Sequence, residues 1–267
     1  MIHPTALIDA RAQIHPSVSI GAYAVIEGPV QLAANVIIGA HAHVLGDTII
    51  GQGTKIGRAA IIGEDPQDLS FDPATPSLTI IGENNVIREQ VTIHRGSKPG
   101  SATRLGDNNF LMANSHLGHD VQIGNRNVAA NGVLLAGHVH IGNNSFLGGG
   151  SAFHQFIHIG DFCIIQGNAV MTKDVPHYCA TNSLNRITGL NVIGMRRQGF
   201  STADRAQIKE LFNLVFRSGR NRLQAIAAAR KREWPAKCEH FLQFIEAPSK
   251  RGICSMRVEV KKLDDEE

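Results

Sequence analysis

Charge is scarce in this chain: Asp, Glu, Lys and Arg make up 18% of its 267 residues, and the formal net charge is only +3. So small an excess gives no argument for a nucleic-acid partner. Long hydrophobic runs are lacking too. None approaches the roughly 18 residues that a spanning helix needs, so no membrane span is expected. The start, Met1-Ile2-His3-Pro4-Thr5, has no basic stretch followed by an apolar one. That argues against a cleaved signal peptide and makes a cytoplasmic enzyme the expectation. The four cysteines (Cys163, Cys179, Cys238 and Cys254) form no CxxC pair, so in a reducing compartment they are expected as thiols that pack rather than ligate. What the chain does have is 43% hydrophobic residues, only 5% of the total being aromatic, over a length that can bury a core in one or two domains. Disorder and a collagen-like fibre are thereby excluded.

The charge is unevenly spread. Residues 196–267 hold 16 Lys and Arg against 10 Asp and Glu, whereas the preceding residues are net negative. Two readings stay open: a solvated helical surface, or a docking surface for an acidic partner, with Arg217, Arg220 and Arg222 among its cations.

The strongest signal has a period of six. Ile2, Ile8, Ile14, Ile20, Ile26, Leu32, Ile38, Val44, Ile50, Ile56 and Ile62 are all aliphatic. The same phase resumes at Ile81, Ile87 and Ile93, and again from Leu105 through Leu111, Leu117, Ile123, Ala129, Leu135, Ile141, Leu147, Phe153, Ile159 and Ile165 to Met171. Ala129 is the one weak member. Glycine often follows the marker, as at Gly21, Gly39, Gly118 and Gly142, which suggests backbone that bends or approaches closely. Period six is neither the 3.6 of a helix nor the two of a simple strand. It predicts a parallel β-helix in which each hexad makes one short strand and a corner, three hexads close a coil, and residues 18 apart stack at roughly 4.7–4.9 Å.

The period fails near 63–79 and near 95–104, segments rich in Gly, Pro, Asp and Ser that read as loops ejected from the coil and as plausible site elements. A mainly β domain is therefore expected over residues 1–190 and a small helical domain over 191–267. Ser201 can cap a helix with Asp204 in its first turn, Ile208, Leu211, Phe212, Val215 and Phe216 give its apolar face, and Gly219 stops it. Leu223–Arg232 and Cys238–Glu246 read as two further helices, and Lys261–Glu267 as a frayed end.

Thirteen histidines is many, and three stand out. His119, His138 and His154 follow the markers Leu117, Leu135 and Phe153, which are 18 apart, so the three imidazoles are expected on one corner of successive coils, with His116 one strand earlier. Three readings compete: a metal site, structural histidines, and a general base with ligand-binding neighbours. The third is favoured because Asp120 adjoins His119, and a carboxylate taking the Nδ1 proton fixes the tautomer. Adjacent strand residues point apart, so the pair requires a bend at the corner.

Several tracts in order carry a resemblance: Pro66-Gln67-Asp68-Leu69, Ile87-Arg88-Glu89, Thr92-Ile93-His94-Arg95-Gly96, Asn114-Ser115-His116-Leu117-Gly118-His119-Asp120, Ala136-Gly137-His138-Val139, His154-Gln155-Phe156, Asp174-Val175-Pro176 and Gly199-Phe200-Ser201. Together they resemble the UDP-N-acetylglucosamine O-acyltransferase family of lipid A synthesis, over nearly the whole chain. The resemblance implies a left-handed β-helix, against the usual right-handed crossover. It implies a homotrimer with sites between subunits, acyl carrier protein as donor, a UDP-sugar as acceptor and no cofactor or metal. By the same resemblance His119 is the general base, Asp120 its partner and the Gly137 N–H an oxyanion donor. Asp68, His116, His138, His154 and Gln155 line the sugar and acyl pocket, Asn191 and Arg197 hold the nucleotide, and Gly167 sets acyl length. The chain departs from the family pattern at Ser70, where a lysine is usual and whose phosphate contact Arg95 or Lys98 could supply, and at Ile193, where a glutamate is usual. The tract Asn182-Ser183-Leu184-Asn185-Arg186 also differs. These changes lie on the acceptor side, so a 3-amino sugar remains an alternative acceptor. A related N-acyltransferase and a non-catalytic trimeric paralogue are the competing readings.

Overall fold

The computed structural model describes residues 1–256, so the frayed end expected over 261–267 lies outside the described residues. From Leu7 to Met171 the chain makes short strands of two to four residues, and every third strand is a hydrogen-bonded neighbour. Three sheets result: nine strands from Leu7–Ile8 to Val170–Met171, eight from Gln13–Ile14 to His158–Ile159, and ten beginning at Ser19–Ile20. All pairings are parallel except the last, where Cys179–Asn182 meets Arg186–Leu190 in antiparallel register. Leu117 lies beside Leu135, and Leu135 beside Phe153, the 18-residue step that period six requires.

From Ile20 to Met171 every aliphatic marker is 5% exposed or less, so each hexad drives one side chain into the prism. Ile2 and Ile8, in the first coil, are 47% and 37% exposed. Ala129 is buried, in register between Leu111 and Leu147 of the neighbouring coils.

The corners turn on a residue that the sequence reading did not identify. Three positions after the marker the backbone enters the left-handed region, at Tyr23, Asn35, His41, Asn84, Asp120 and His138 among others. Such a conformation costs a side-chain-bearing residue roughly 1–2 kcal/mol, least for Asn and Asp, and the stacked ladder over-determines it. The glycine after the marker has a different reason: a Cβ on Gly21 would stand 2.6 Å from the Ala40 nitrogen of the next coil.

Both expected insertions leave the prism between strands. The first occupies residues 65–77 and the second residues 95–101, and Leu78–Ile81 and Ala102–Leu105 then pair with each other. After Leu190 come four helices, α1 (Val192–Arg197), α2 (Thr202–Phe216), α3 (Arg222–Ala229) and α4 (Ala236–Glu246). Ser201 and Asp204 form a reciprocal capping box on α2, and Asn221 and Gln224 a second one on α3. The helices dock on the last coils through the Tyr178 hydroxyl on the Lys237 carbonyl (3.2 Å) and His240 Nε2 on Asp161 Oδ2 (2.8 Å). Tyr178 is ringed by Phe162, Phe200 and Phe241.

Candidate active site

The nine-stranded face presents the outward side of successive strands in register: His116, Leu134, Ala152 and Val170. At the following corner the 18-residue step stacks Gly118 with Ala136 and His154, then His119 with Gly137 and Gln155, then Asp120 with His138 and Phe156. Small residues beside His119 open a groove of about 620 Å³, lined by His94, His116, His119, Gly137, His154 and Gln155 among others.

The required bend is present. Asp120 has a φ of +58°, which swings its carboxylate back to accept a hydrogen bond from His119 Nδ1 at 2.9 Å. The same oxygen, Oδ2, accepts from the Ser97 amide (3.0 Å) and the Ser97 hydroxyl (2.6 Å). Burial opposes ionisation of Asp120, but hydrogen bonds from His119 and from the hydroxyls of Ser97 and Ser101 outweigh it and hold the carboxyl well below the usual range. With its Nδ1 proton committed, His119 keeps Nε2 free, facing Gly137. A Cβ on Gly137 would lie 2.5 Å from that nitrogen.

The other imidazoles are conditioned differently. Burial, reinforced by the neighbouring His94 ring, pushes His116 down to about 4, and its Nδ1 is 2.8 Å from the Thr92 hydroxyl. His94 is also lowered by burial, and its Nδ1 bonds the Asp65 carbonyl. These are neutral polar groups at pH 7. His154 and Gln155 join His119 in the groove, but His138 does not. It occupies the left-handed position of the next coil (φ +58°), turns round the corner, packs edge-on against His119 at 5.0 Å and stacks on Phe156 at 4.6 Å. The expectation that three histidines line one face is corrected accordingly: they occupy three different positions of the coil. His119, Asp120 and His138 are close enough together to hold a metal ion. Asp120 Oδ2, however, already accepts from three donors, an arrangement suited to a hydrogen-bonded dyad rather than to a metal-ligating oxygen.

The remaining expected residues lie elsewhere. Asn191 and Arg197 line a second groove of about 820 Å³ on the ten-stranded face, with Arg126, Phe146 and Ile193. Asn191 is the N-cap of α1, a helix that the sequence reading missed. Its Oδ1 accepts from the Gly194 amide (2.9 Å) and its Nδ2 donates to the Phe162 carbonyl (2.9 Å). Asp68 sits exposed on the first insertion, its carboxylate held below the usual range chiefly by the Ser70 amide and hydroxyl. Arg95 cannot replace the absent lysine at Ser70, because its guanidinium is consumed by Asp65 (2.8 Å) and by the carbonyls of Thr75 and Pro73. Gly167 is exposed on the corner that leads into Val170 at the end of the histidine groove. Sequence reasoning missed Ser97, Thr92 and His94. The only signal for Ser97 was its seat in an ejected loop.

Comparison with known proteins fits this arrangement. A family described as the second domain of UDP N-acetylglucosamine O-acyltransferase matches residues 174–254, and six bacterial transferase hexapeptide repeats match residues 102–137. The acyl-(acyl-carrier-protein)–UDP-N-acetylglucosamine O-acyltransferase of Anaeromyxobacter sp. is 40% identical over 255 residues, covering 94% of this chain and 98% of the relative. That of Syntrophobacter fumaroxidans is 39% identical over 257 residues, covering 94% and 98%. The crystal structure of UDP-N-acetylglucosamine O-acyltransferase from Moraxella catarrhalis superposes with a TM-score of 0.90 at 39% identity, covering 95% of this chain and 99% of that one. The coils are thus those of a left-handed β-helix, and with near-complete coverage in both directions the chain belongs to the UDP-N-acetylglucosamine O-acyltransferase family.

Proposed function

We propose that the chain transfers an R-3-hydroxyacyl group from acyl carrier protein to the 3-hydroxyl of UDP-N-acetylglucosamine, the first step of lipid A biosynthesis. The His119–Asp120 dyad carries the reading. His119 Nε2 takes the hydroxyl proton as the oxygen attacks the thioester carbonyl, and Asp120 stabilises the imidazolium that forms. The tetrahedral oxyanion needs a donor. The Gly137 amide donates to no group among the described residues and lies beside the base, which suits it to that role. Collapse expels the carrier thiolate, which leaves as the thiol with the proton that His119 returns. His116, held neutral by burial, offers the sugar a hydrogen bond without competing for the proton, and His154 and Gln155 offer further polar contacts in the same groove.

The two grooves belong to different faces of one prism, so a single chain holds the base and the Asn191–Arg197 groove apart. The outward residues support a way of joining them. The ten-stranded face exposes Ile37, Phe146 and Ile164, and the nine-stranded face exposes Leu7, Leu134 and Val170. The eight-stranded face instead offers Gln13, Gln31, Arg104, Gln122, His140 and His158. Two unlike apolar faces favour a heterologous contact, which repeats and closes into a ring. We read this as the homotrimer, with the histidine groove of one copy against the nucleotide groove of the next. No helix among the described residues is long and apolar enough to cross a membrane, and the reaction is assigned to the cytoplasm.

The test is incubation of the purified chain with R-3-hydroxyacyl carrier protein and UDP-N-acetylglucosamine, read by mass spectrometry, with the 3-amino analogue in parallel. An alkali-labile ester on the hydroxyl sugar supports the reading. An alkali-stable amide on the amino sugar alone identifies the amine acceptor that Ser70 and Ile193 left open. No product with either returns the chain to a non-catalytic role.

A further inference from the structure

The second insertion makes contacts to Asp120 that the dyad does not explain, those of Ser97 the most direct. Residues 95–101 form a closed turn. The Gly96 amide donates to the Leu78 carbonyl (3.2 Å), the Ser101 amide to the Lys98 carbonyl (2.9 Å), and the Lys98 amide to the Ser101 hydroxyl (3.0 Å). The turn carries Ser97 across the corner to Asp120, 23 residues away in sequence. Both donors of Ser97, amide and hydroxyl, meet Oδ2, the oxygen that faces His119. The hydroxyl contact, at 2.6 Å, is the shortest of the three. Hydrogen bonds to an ionised acceptor are the strong kind, and a carboxylate with three donors on one oxygen is no longer free to rotate. Asp120 is the orienter of the base, so whatever fixes its rotation fixes the imidazole.

We propose that Ser97 is a positioning residue for the transfer reaction: its hydroxyl locks the Asp120 carboxylate in the rotation that holds His119 with Nε2 aimed at the acceptor. This rests on the functional reading above and assigns the ejected loop a role in base geometry rather than in phosphate binding. The hydroxyl also shares the charge of Asp120. Without it the carboxylate holds protonated His119 more tightly, and the base is silenced at a higher pH.

Steady-state kinetics of the full-length protein with acyl carrier protein and the sugar nucleotide test this, comparing the unmodified chain, Ser97→Ala, Ser97→Thr and His119→Ala. Ser97→Ala keeps the amide donor and is expected to lose about 10-fold in kcat, with KM for both substrates unchanged. The acid limb of its kcat profile moves to higher pH. Ser97→Thr, which keeps the hydroxyl, retains the rate and the limb. Wild-type kcat with an unmoved limb in Ser97→Ala overturns the proposal. So does a Ser97→Thr as slow as Ser97→Ala, which would make the residue a packing element of the loop. If the unmodified chain transfers no acyl group, and so matches His119→Ala, the functional reading falls and this inference with it. If the unmodified chain is active and Ser97→Ala equals it, only the inference falls.

Discussion

Replacing Gly137 by alanine isolates the base from everything else in the site. The backbone there has no positive φ, so alanine is conformationally tolerated, and the amide proposed as oxyanion donor is retained. The new methyl would stand 2.5 Å from His119 Nε2, 2.6 Å from Cε1 and 3.1 Å from Cδ2. Carbon contacts settle near 3.5–4.0 Å, so the ring must withdraw by about 1 Å. It is a side chain at the edge of an open groove and can do so, but its anchor is the 2.9 Å bond to Asp120, which stretches or tilts as it moves. A misplacement of about 1 Å at a reacting group costs on the order of 10²-fold. The expectation is therefore a kcat about 100-fold down, KM for the sugar nucleotide little changed, and a melting temperature close to that of the unmodified protein. Gly21→Ala is the contrast. There the methyl meets backbone, which cannot step aside, so the melting temperature falls and the chemistry is untouched in the molecules that stay folded. A folded Gly137→Ala with near-normal kcat would show that His119 Nε2 is not the group that takes the proton, or that it works from another position.

Three further outcomes are expected. Arg217→Glu with Arg220→Glu should raise KM for the acidic carrier protein but not for the sugar nucleotide, an effect that shrinks as salt rises; Arg222 is left out because its guanidinium binds the carbonyls of Ile245 and Ala247 at 2.7 Å, so reversing it would unseat the end of α4. Gly167→Met should shift preference toward shorter acyl chains, because a bulky side chain on the exposed corner before Val170 shortens the apolar end of the histidine groove, each excluded methylene being worth about 0.8 kcal/mol; unchanged chain preference removes Gly167 as the ruler. His177, held down to about 4 by burial, is neutral when folded and takes a proton more readily when unfolded, so stability should fall as pH drops from about 6.5 towards 4, read as a melting temperature that declines less in His177→Asn.

How much of this was legible follows from what repeats. A buried aliphatic residue every six positions is a constraint that every coil imposes on its own hexad, so the phase, the stacking of Leu117 on Leu135 and Phe153, and the places where the coil is interrupted could all be read from one line of sequence. The left-handed residue three after the marker recurs in most coils, though not at Ser17, Pro29 or Asp47, and it varies from Tyr23 to Asn35 to His138, so the type of residue hides the conformation. That variability caused the error over His138. Counted from its marker it stands one place beyond His119, and that one place at a corner sets it against the dyad, its Nε2 3.8 Å from Asp120 Oδ2, rather than in the lining of the groove.

What the sequence could not order was anything that depends on a second piece of backbone. Ser97 reaches Asp120 only because an insertion of no regular pattern folds back on the strand at Leu78, and nothing in the residues 95–101 gives that direction. Asn191 read as a nucleotide ligand; its amide caps α1 and ties it to the Phe162 carbonyl, which fixes the helix that carries Arg197 beside the second groove. The separation of the two grooves follows the same logic at a larger scale. A three-sided prism cannot turn two of its faces toward one ligand. A binding site needing both the imidazole face and the α1 face must borrow one of them from another copy, and in the proposed homotrimer the exposed Phe146 and Ile164 on one face, with Leu134 and Val170 on the other, are the apolar surfaces open to that contact.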